Sequence, residues 1–375
     1  MTDTDLDTDV ADASHGPEFV ADRFDRWGSR FRAKGLDRPG IAALREQIDR
    51  WEQWCSAFVD RGERAEDRGE AALDDGHPET AARHLLRAAM YYHFGSFAWY
   101  VDEDERESAH RRAVELFGRA GRHVDPPVQR IEADGPGGVT VPGNLRVPDD
   151  APPGTDASPL VVLLSGLDST KEEQHTRASD FHRRGVATLT VDAAGQGEAW
   201  YDQRMTPEFP AYVSAIVDAV AERDPDGVEA DRLGVYGVSL GGFYAPQVAA
   251  ADDRFDAVVG LSGPFTVGPI TPYKSDSLRK GFLHACKTPS PIEADAVTER
   301  MTLRDCIEDL TAPTLTIAGA NDHVIPPAQT KRIAREAPDG ELLFYEDGDH
   351  VCKNRVHDYR PRAADWLRDR LLEGS

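Results

Sequence analysis

Ser239 stands in GVYGVSLGG, with Gly237 and Gly241 two positions away on either side and strand-forming residues directly before it. A hydroxyl in that setting is either a nucleophile raised on a sharp strand-to-helix turn or a polar group in a glycine-rich bend. Serine is a weak nucleophile at neutral pH; it needs a base, and the base needs an orienting group. Two later segments supply both. TLTIAGANDHVIPP places Asp322, and ELLFYEDGDHVCKN places His350, each just behind an apolar run. The order serine, aspartate, histidine, each behind its own strand, fits one hydroxyl, one carboxylate and one imidazole meeting at the same rim of a sheet. Rivals fit less well. His323 belongs to the acid's own loop, Asp349 adjoins His350 and cannot readily reach its far ring nitrogen, and Asp347 reads as a turn residue beside Gly348.

Attack on an acyl carbon also needs donors placed beforehand for the oxyanion. One is expected from the N–H of Leu240, directly after Ser239. The second is expected from the loop after LVVLL, where Leu167 is preferred and Gly166 is the alternative. In that loop Asp168, Ser169 and Thr170 are expected to cap the helix KEEQHTRASDFHRR. In VDAAGQGEAW, Gly195 and Gly197 read as turn residues, while Gln196 and Glu198 are assigned to either pocket or solvent. Histidines such as His175 and His182 form no ligand grouping, so neither a metal nor a cofactor is expected.

These groups need a scaffold. Beyond Pro126, short β-rich runs alternate with helical patterns. VQRIEADGPGGVTVPGNLRVP reads as antiparallel strands around a turn. Then come Leu160 to Leu164, Val186 to Val191, Leu233 to Val238, Ala257 to Leu261, Thr314 to Ala318 and Glu341 to Tyr345, apolar throughout as strands covered on both faces are. The fold expected is α/β: a mostly parallel, doubly wound sheet with an antiparallel N-terminal edge, spanning 126–375. Ligand sites in such sheets lie outside the carboxyl ends of the strands, which is where Ser239, Asp322 and His350 fall. The stretch 262–310 is long for a crossover and is expected to hold extra helices that set specificity. Residues 19–125 read as all-helical. Leu44, Ile48, Trp51, Cys55, Phe58 and Val59 mark one apolar stripe, and the aromatics from Met90 to Tyr100 read as core. Residues 1–18 are acidic, poor in large apolar groups and expected to be disordered.

The 375 residues carry a net charge of -24, which repels phosphate backbones and anionic lipid and excludes nucleic acid and membrane surfaces as partners. Of 43 basic residues only seven are lysine, a pattern that suggests either adaptation to high salt, which is preferred, or an ordinary acidic protein of a GC-rich genome. The four cysteines are far apart, so no disulfide framework or structural zinc is expected. No signal peptide and no apolar run near the roughly 20 residues of a membrane span is present, and a cytoplasmic location follows as the expectation.

GLDSTKEE, DAAGQGE, GVSLGG, GANDHVIP and GDHVCKN, with the run His84 to Tyr92 in the helical region, resemble one group of α/β hydrolases. It includes dihydroxypseudooxynicotine hydrolase, fungal polyketide-shortening hydrolases and esterases like the fermentation-respiration switch protein. The resemblance implies that Ser239, Asp322 and His350 form the triad, that the helical region is a lid, and that the chain forms a homodimer. The expected activity is serine hydrolysis of a small ester or activated carbonyl compound through an acyl-enzyme. The alternative is hydrolysis of a carbon–carbon bond in a diketone- or polyketide-like ketone. A non-catalytic binding protein of the same fold is the reading from another class.

Overall fold

A computed structural model describes residues 16–271 and 275–373, and the chain divides into two compact units, 1–120 and 121–375. Most of the acidic leader, residues 1–15, lies outside the described residues. Its end does not behave as expected: helix α1 (Pro17–Ala33) already begins there, since proline fits the first helical turn and Glu18 faces the N-terminal dipole.

The first unit continues with α2 (Arg38–Gln47), α3 (Trp54–Asp74), α4 (Pro78–Ser96) and α5 (Glu103–Gly121). The stripe drawn from Leu44 to Val59 is not one helix. Ile48 is extended, and Gln53 turns back so that its Oε1 accepts the N–H groups of Asp49 and Arg50 at 3.0 Å each, opening a new helix. Helices α3 and α4 lie close because Gly62 faces the Tyr92 ring and Gly69 faces Leu85; a Cβ on either would come within 2.7 Å of those side chains. The aromatics are core, as read: Trp54, Phe58, Phe31 and Phe94 are fully buried, and Trp54 Nε1 donates to Phe94 O at 2.8 Å.

The second unit is one sheet of eight strands: β1 (Gln129–Asp134), β2 (Thr140–Arg146), β3 (Ser158–Leu164), β4 (Ala187–Val191), β5 (Val228–Val238), β6 (Phe255–Leu261), β7 (Thr314–Gly319) and β8 (Gly340–Tyr345). Their order across the sheet is β1-β2-β4-β3-β5-β6-β7-β8; β1 and β2 are antiparallel, and all pairs from β4 onward are parallel. This is the mostly parallel doubly wound sheet with an antiparallel edge.

Helices α6 (His175–His182), α7 (Phe209–Arg223), α8 (Leu240–Ala251), α11 (Pro327–Glu336) and α12 (Val356–Leu372) cover the two faces, while α9 (Asp276–Ala285) and α10 (Pro291–Thr298) occupy the connection from β6 to β7. Alternation along β3 shows why its run is apolar throughout. Leu160, Val162 and Leu164 pack in the core with Val213 and Ile216 of α7 and Phe243 of α8, whereas Val161 and Leu163 meet Phe181 of α6 and Leu367 of α12. Each such side chain contributes roughly 1.5–3 kcal/mol through burial. No helix among the described residues is long and apolar enough to cross a membrane.

Register decides where the chemistry can be. Leu164 pairs with Val191 and Gly237, Val238 with Leu261, Leu261 with Ile317, and Gly319 with Tyr345. The carboxyl ends of the parallel strands therefore finish almost level, and the loops that leave them share one rim.

Candidate active site

Ser239 joins β5 to α8 with φ 56° and ψ −117°, a backbone region costly for any residue but glycine. Neighbouring bonds hold it there: its N–H donates to Leu261 O at 2.8 Å, and its carbonyl accepts the Gly242 N–H at 2.8 Å. The flanking glycines are a packing necessity. A Cβ on Gly237 would lie 1.8 Å from Gly241 O, and one on Gly241 would lie 2.5 Å from Leu164 O.

The Ser239 Oγ is 3.1 Å from His350 Nε2. On the other side of the ring, Nδ1 donates to Asp322, 2.9 Å from Oδ2 and 3.0 Å from Oδ1. A carboxylate cannot donate, so the proton is on Nδ1 and the Nε2 lone pair faces the serine. Asp322 is buried, and its Oδ1 also accepts the N–H groups of Val324 at 2.9 Å and Ile325 at 2.8 Å. Burial by itself raises this carboxyl. The hydrogen bond and charge of His350, with the two backbone donors, outweigh it and hold Asp322 below its ordinary value.

The two loops that carry Asp322 and His350 are stitched together. Ala320 N–H donates to Tyr345 O at 2.9 Å and Asn321 N–H to Gly348 O at 2.8 Å, while Gly319 and Gly348 approach so closely that a Cβ on Gly319 would fall 2.3 Å from Gly348 O. Behind His350 the chain makes a tight turn with Val351 at φ 54° and Cys352 at φ 46°. Ser262, itself buried at φ 50° behind β6, accepts the Val351 N–H on its Oγ at 3.1 Å.

The residues assigned to the oxyanion lie on the same rim. Leu240 is the first residue of α8, so its N–H has no intrahelical acceptor. Gly166 sits against the serine: a Cβ there would be 3.3 Å from Ser239 Cβ. Leu167, half-buried, follows it.

The rivals are elsewhere. His323 is exposed. Asp347 pairs with Arg355 at 2.8 Å, and Asp349 accepts the Asn354 N–H at 3.4 Å. Burial pushes the Cys352 thiol up to about 12, which leaves it protonated at neutral pH and no competitor for the serine.

Comparison with known proteins adds the family. The family model described as esterase FrsA-like matches residues 62–280. The chain belongs to the FrsA-like esterase family. A relative, 2,6-dihydropseudooxynicotine hydrolase of Paenarthrobacter nicotinovorans, is 30% identical over 326 residues, 86% of this chain and 85% of the relative. The crystal structure of 2,6-dihydroxy-pseudo-oxynicotine hydrolase superposes with a TM-score of 0.82 at 27% identity, covering 93% of this chain and 97% of that one. Hydrolase LUC6 of a Fusarium species is 31% identical over 227 residues, 59% of this chain but 54% of the fungal protein. The fold is that of the α/β hydrolases, and the protein is a hydrolase.

Sequence reasoning missed the supporting residues around the site of this FrsA-like hydrolase. Gln196, assigned to pocket or solvent, is buried away from solvent, and its Nε2 donates to Ser165 O at 2.9 Å and Gly166 O at 3.0 Å. Lys171 is fully buried in a nest of carboxylates, 2.6 Å from Glu172, 3.2 Å from Asp192 and also paired with Glu198. Those three carboxylates lie close enough together to share a metal ion, but the ammonium of Lys171 is the cation in contact with them. Glu198 in turn is held by Arg130 at 2.9 and 3.0 Å. Ser262, which accepts the Val351 N–H, is another. A signal was available: Asp192 directly follows a buried strand, and a lysine in a chain with seven invites a reason for its retention.

Capping of the helix after this loop also differs from expectation. It opens with a short 3-10 turn at Lys171; Thr170 makes no side-chain cap, and Ser169 Oγ donates to Glu173 at 2.8 Å instead.

Proposed function

We propose that this protein is a serine hydrolase acting on a small ester or activated carbonyl compound. The observation that carries the reading is the line of contacts from Ser239 Oγ through the His350 ring to Asp322, at 3.1 Å and 2.9 Å. His350 Nε2 takes the hydroxyl proton as Oγ attacks the carbonyl carbon. Asp322 keeps the Nδ1 tautomer and stabilises the imidazolium. The amide of Leu240, with that of Leu167 or Gly166, receives the charge on the carbonyl oxygen. His350 then protonates the leaving group, and water, activated by the same imidazole, releases the acid from the acyl-enzyme. Ser239→Ala should abolish turnover of aryl esters; unchanged turnover in the purified variant would remove the assignment.

A second reading keeps these groups and changes the bond, to one between a carbonyl carbon and its neighbour in a diketone-like substrate. Its support is the 30% identity, over most of both chains, to a hydrolase named for a pseudooxynicotine substrate. It needs an acid for the departing carbanion, and Glu172, Asp192 and Glu198 are already committed to Lys171. The ester reading therefore comes first. Turnover of diketones in place of esters would reverse the order.

The acidic, lysine-poor surface supports operation in concentrated salt. The resemblance to its family supports a homodimer, which sedimentation at working salt checks.

A further inference from the structure

The loop Ser165–Gly166–Leu167 must present amide hydrogens to the reacting carbonyl, yet the bond its own turn makes to the Gly166 carbonyl, from the Ser169 N–H, is long at 3.5 Å and holds a glycine-containing loop weakly. Its peptide planes are fixed from outside. A single side-chain nitrogen, Gln196 Nε2, donates to the carbonyls of both Ser165 and Gly166. These peptide bonds are trans, so each N–H points opposite to its C=O. The Ser165 carbonyl shares its plane with the Gly166 N–H, and the Gly166 carbonyl shares its plane with the Leu167 N–H. Both amides are consequently turned away from Gln196. The loop faces Ser239 at Gly166, where an added Cβ would lie 3.3 Å from the serine Cβ.

We infer that Gln196 is a positioning residue that aims the Gly166 and Leu167 amides at the oxyanion; this rests on the serine hydrolase reading. A donor suits the place: two carbonyl oxygens side by side repel any acceptor, and the amide NH2 has two hydrogens for them. Gln196 is itself held from both sides. Its N–H donates to Ala193 O at 2.9 Å, and its carbonyl accepts the Trp200 N–H at 3.0 Å. The buried lysine completes the frame. Asp192 accepts the Lys171 N–H at 2.8 Å and the Glu198 N–H at 3.1 Å, as well as the ammonium. Thus the residue two positions before Glu198 is tied to the chain just beyond the oxyanion loop. Gly197 permits this, since a Cβ there would lie 1.9 Å from Asp192 Oδ2. Burial makes the frame stiff as well as correct, because without Gln196 the Ser165 carbonyl would lose this donor and the Gly166 carbonyl would keep just the long bond from the Ser169 N–H at 3.5 Å.

Two variants of the full chain test the inference: Gln196→Met, which keeps the volume without the donor, and Gln196→Glu, which keeps the shape and sets an acceptor against two acceptors. Active sites are titrated so that only folded enzyme is counted. The expected result for an aryl ester is a kcat lower by about 10- to 100-fold with KM within about twofold, the larger loss in Gln196→Glu. The inhibition constant of an aryl boronic acid, whose tetrahedral adduct places an oxygen where the oxyanion forms, should rise by the same factor. A kcat per active site equal to that of the parent, or a lowered kcat with the boronic acid binding unchanged, would overturn the inference. Should neither variant fold, a crystal structure of the parent enzyme with the boronic acid decides: an adduct oxygen within about 3.2 Å of the Gly166 or Leu167 nitrogen supports it, and one remote from both refutes it. Ser239→Ala is the separating control. If that variant retains turnover, the serine hydrolase reading has failed; if it is inactive while Gln196→Met is unimpaired, only the role of Gln196 has.

Discussion

The hydroxyl of Ser262 accepts the N–H of Val351, one residue past His350, at 3.1 Å. Both residues have positive φ, so the bond joins two strained points and sets where the histidine loop leaves the sheet. Ser262→Gly tolerates the backbone and removes the acceptor, costing about 1–2 kcal/mol at the histidine turn. The expected outcome is a kcat reduced by roughly 10-fold with KM little changed. Steady-state kinetics on an aryl ester, set beside the thermal midpoint, distinguishes a displaced base from a general loss of folding.

Asp322→Asn should leave the fold in place and lower kcat by about 10⁴-fold, since the amide favours the wrong imidazole tautomer. The same variant should alter acid sensitivity. Asp322 is held below its ordinary value of 3.8, so its contribution to stability is complete above that pH and fades as the pH falls through the lower folded value. Acid unfolding curves of parent and variant should therefore converge at low pH and separate above it.

Glu198 gives a second acid-dependent term. Burial raises it, but the charge of Lys171 and the hydrogen bonds of Arg130 and Lys171 bring it from the ordinary 4.5 down to about 2. Stabilisation from this carboxylate is fully present above pH 4.5 and is lost as the pH falls toward 2. Its size is on the order of 3 kcal/mol. Denaturant unfolding of Glu198→Gln at neutral pH and at intervals down to pH 2.5 should show the gap to the parent narrowing across this window.

Two glycines should respond differently to the same methyl group. Gly241→Ala pushes a Cβ to 2.5 Å from the Leu164 carbonyl, a backbone clash expected to cost about 3 kcal/mol or more. Gly166→Ala meets Ser239 Cβ at 3.3 Å, a contact that small shifts relieve. Calorimetry should find Gly166→Ala near the parent in stability, while its kcat falls because the nucleophile and the oxyanion loop are pressed apart.

Salt supplies the last test. With a net charge of -24, self-repulsion operates over about 10 Å at 0.1 M salt but only about 3 Å at 1 M. The melting temperature should rise steadily with potassium chloride concentration. Full stability in dilute buffer would remove the high-salt proposal and leave genome composition as the reason for so few lysines.

The sheet was legible because burial on both faces writes itself as uninterrupted apolar runs, and Ser239, Asp322 and His350 because each follows such a run in the sequence. The supporting groups were not. Gln196 and Ser262 act on backbone carbonyls and amides, whose directions depend on how loops from different strands meet, and no spacing along the chain records that. Lys171 drew no reading of its own because its partners come from positions 172, 192 and 198, two of them on another loop. The break at Ile48 was hidden for a local reason: the apolar stripe continues through it, and only the turning back of Gln53 ends one helix and begins the next.

The connection from Leu261 to Thr314 carries α9 and α10, yet past Ser262 it holds none of the three residues that make the line of proton contacts. Asp322 and His350 follow β7 and β8 on loops laced to each other, and Ser239 is braced by its own glycines. An insertion so placed can be rewritten by evolution, lengthened or recoloured with new side chains, while the line from Ser239 through His350 to Asp322 stays as it is.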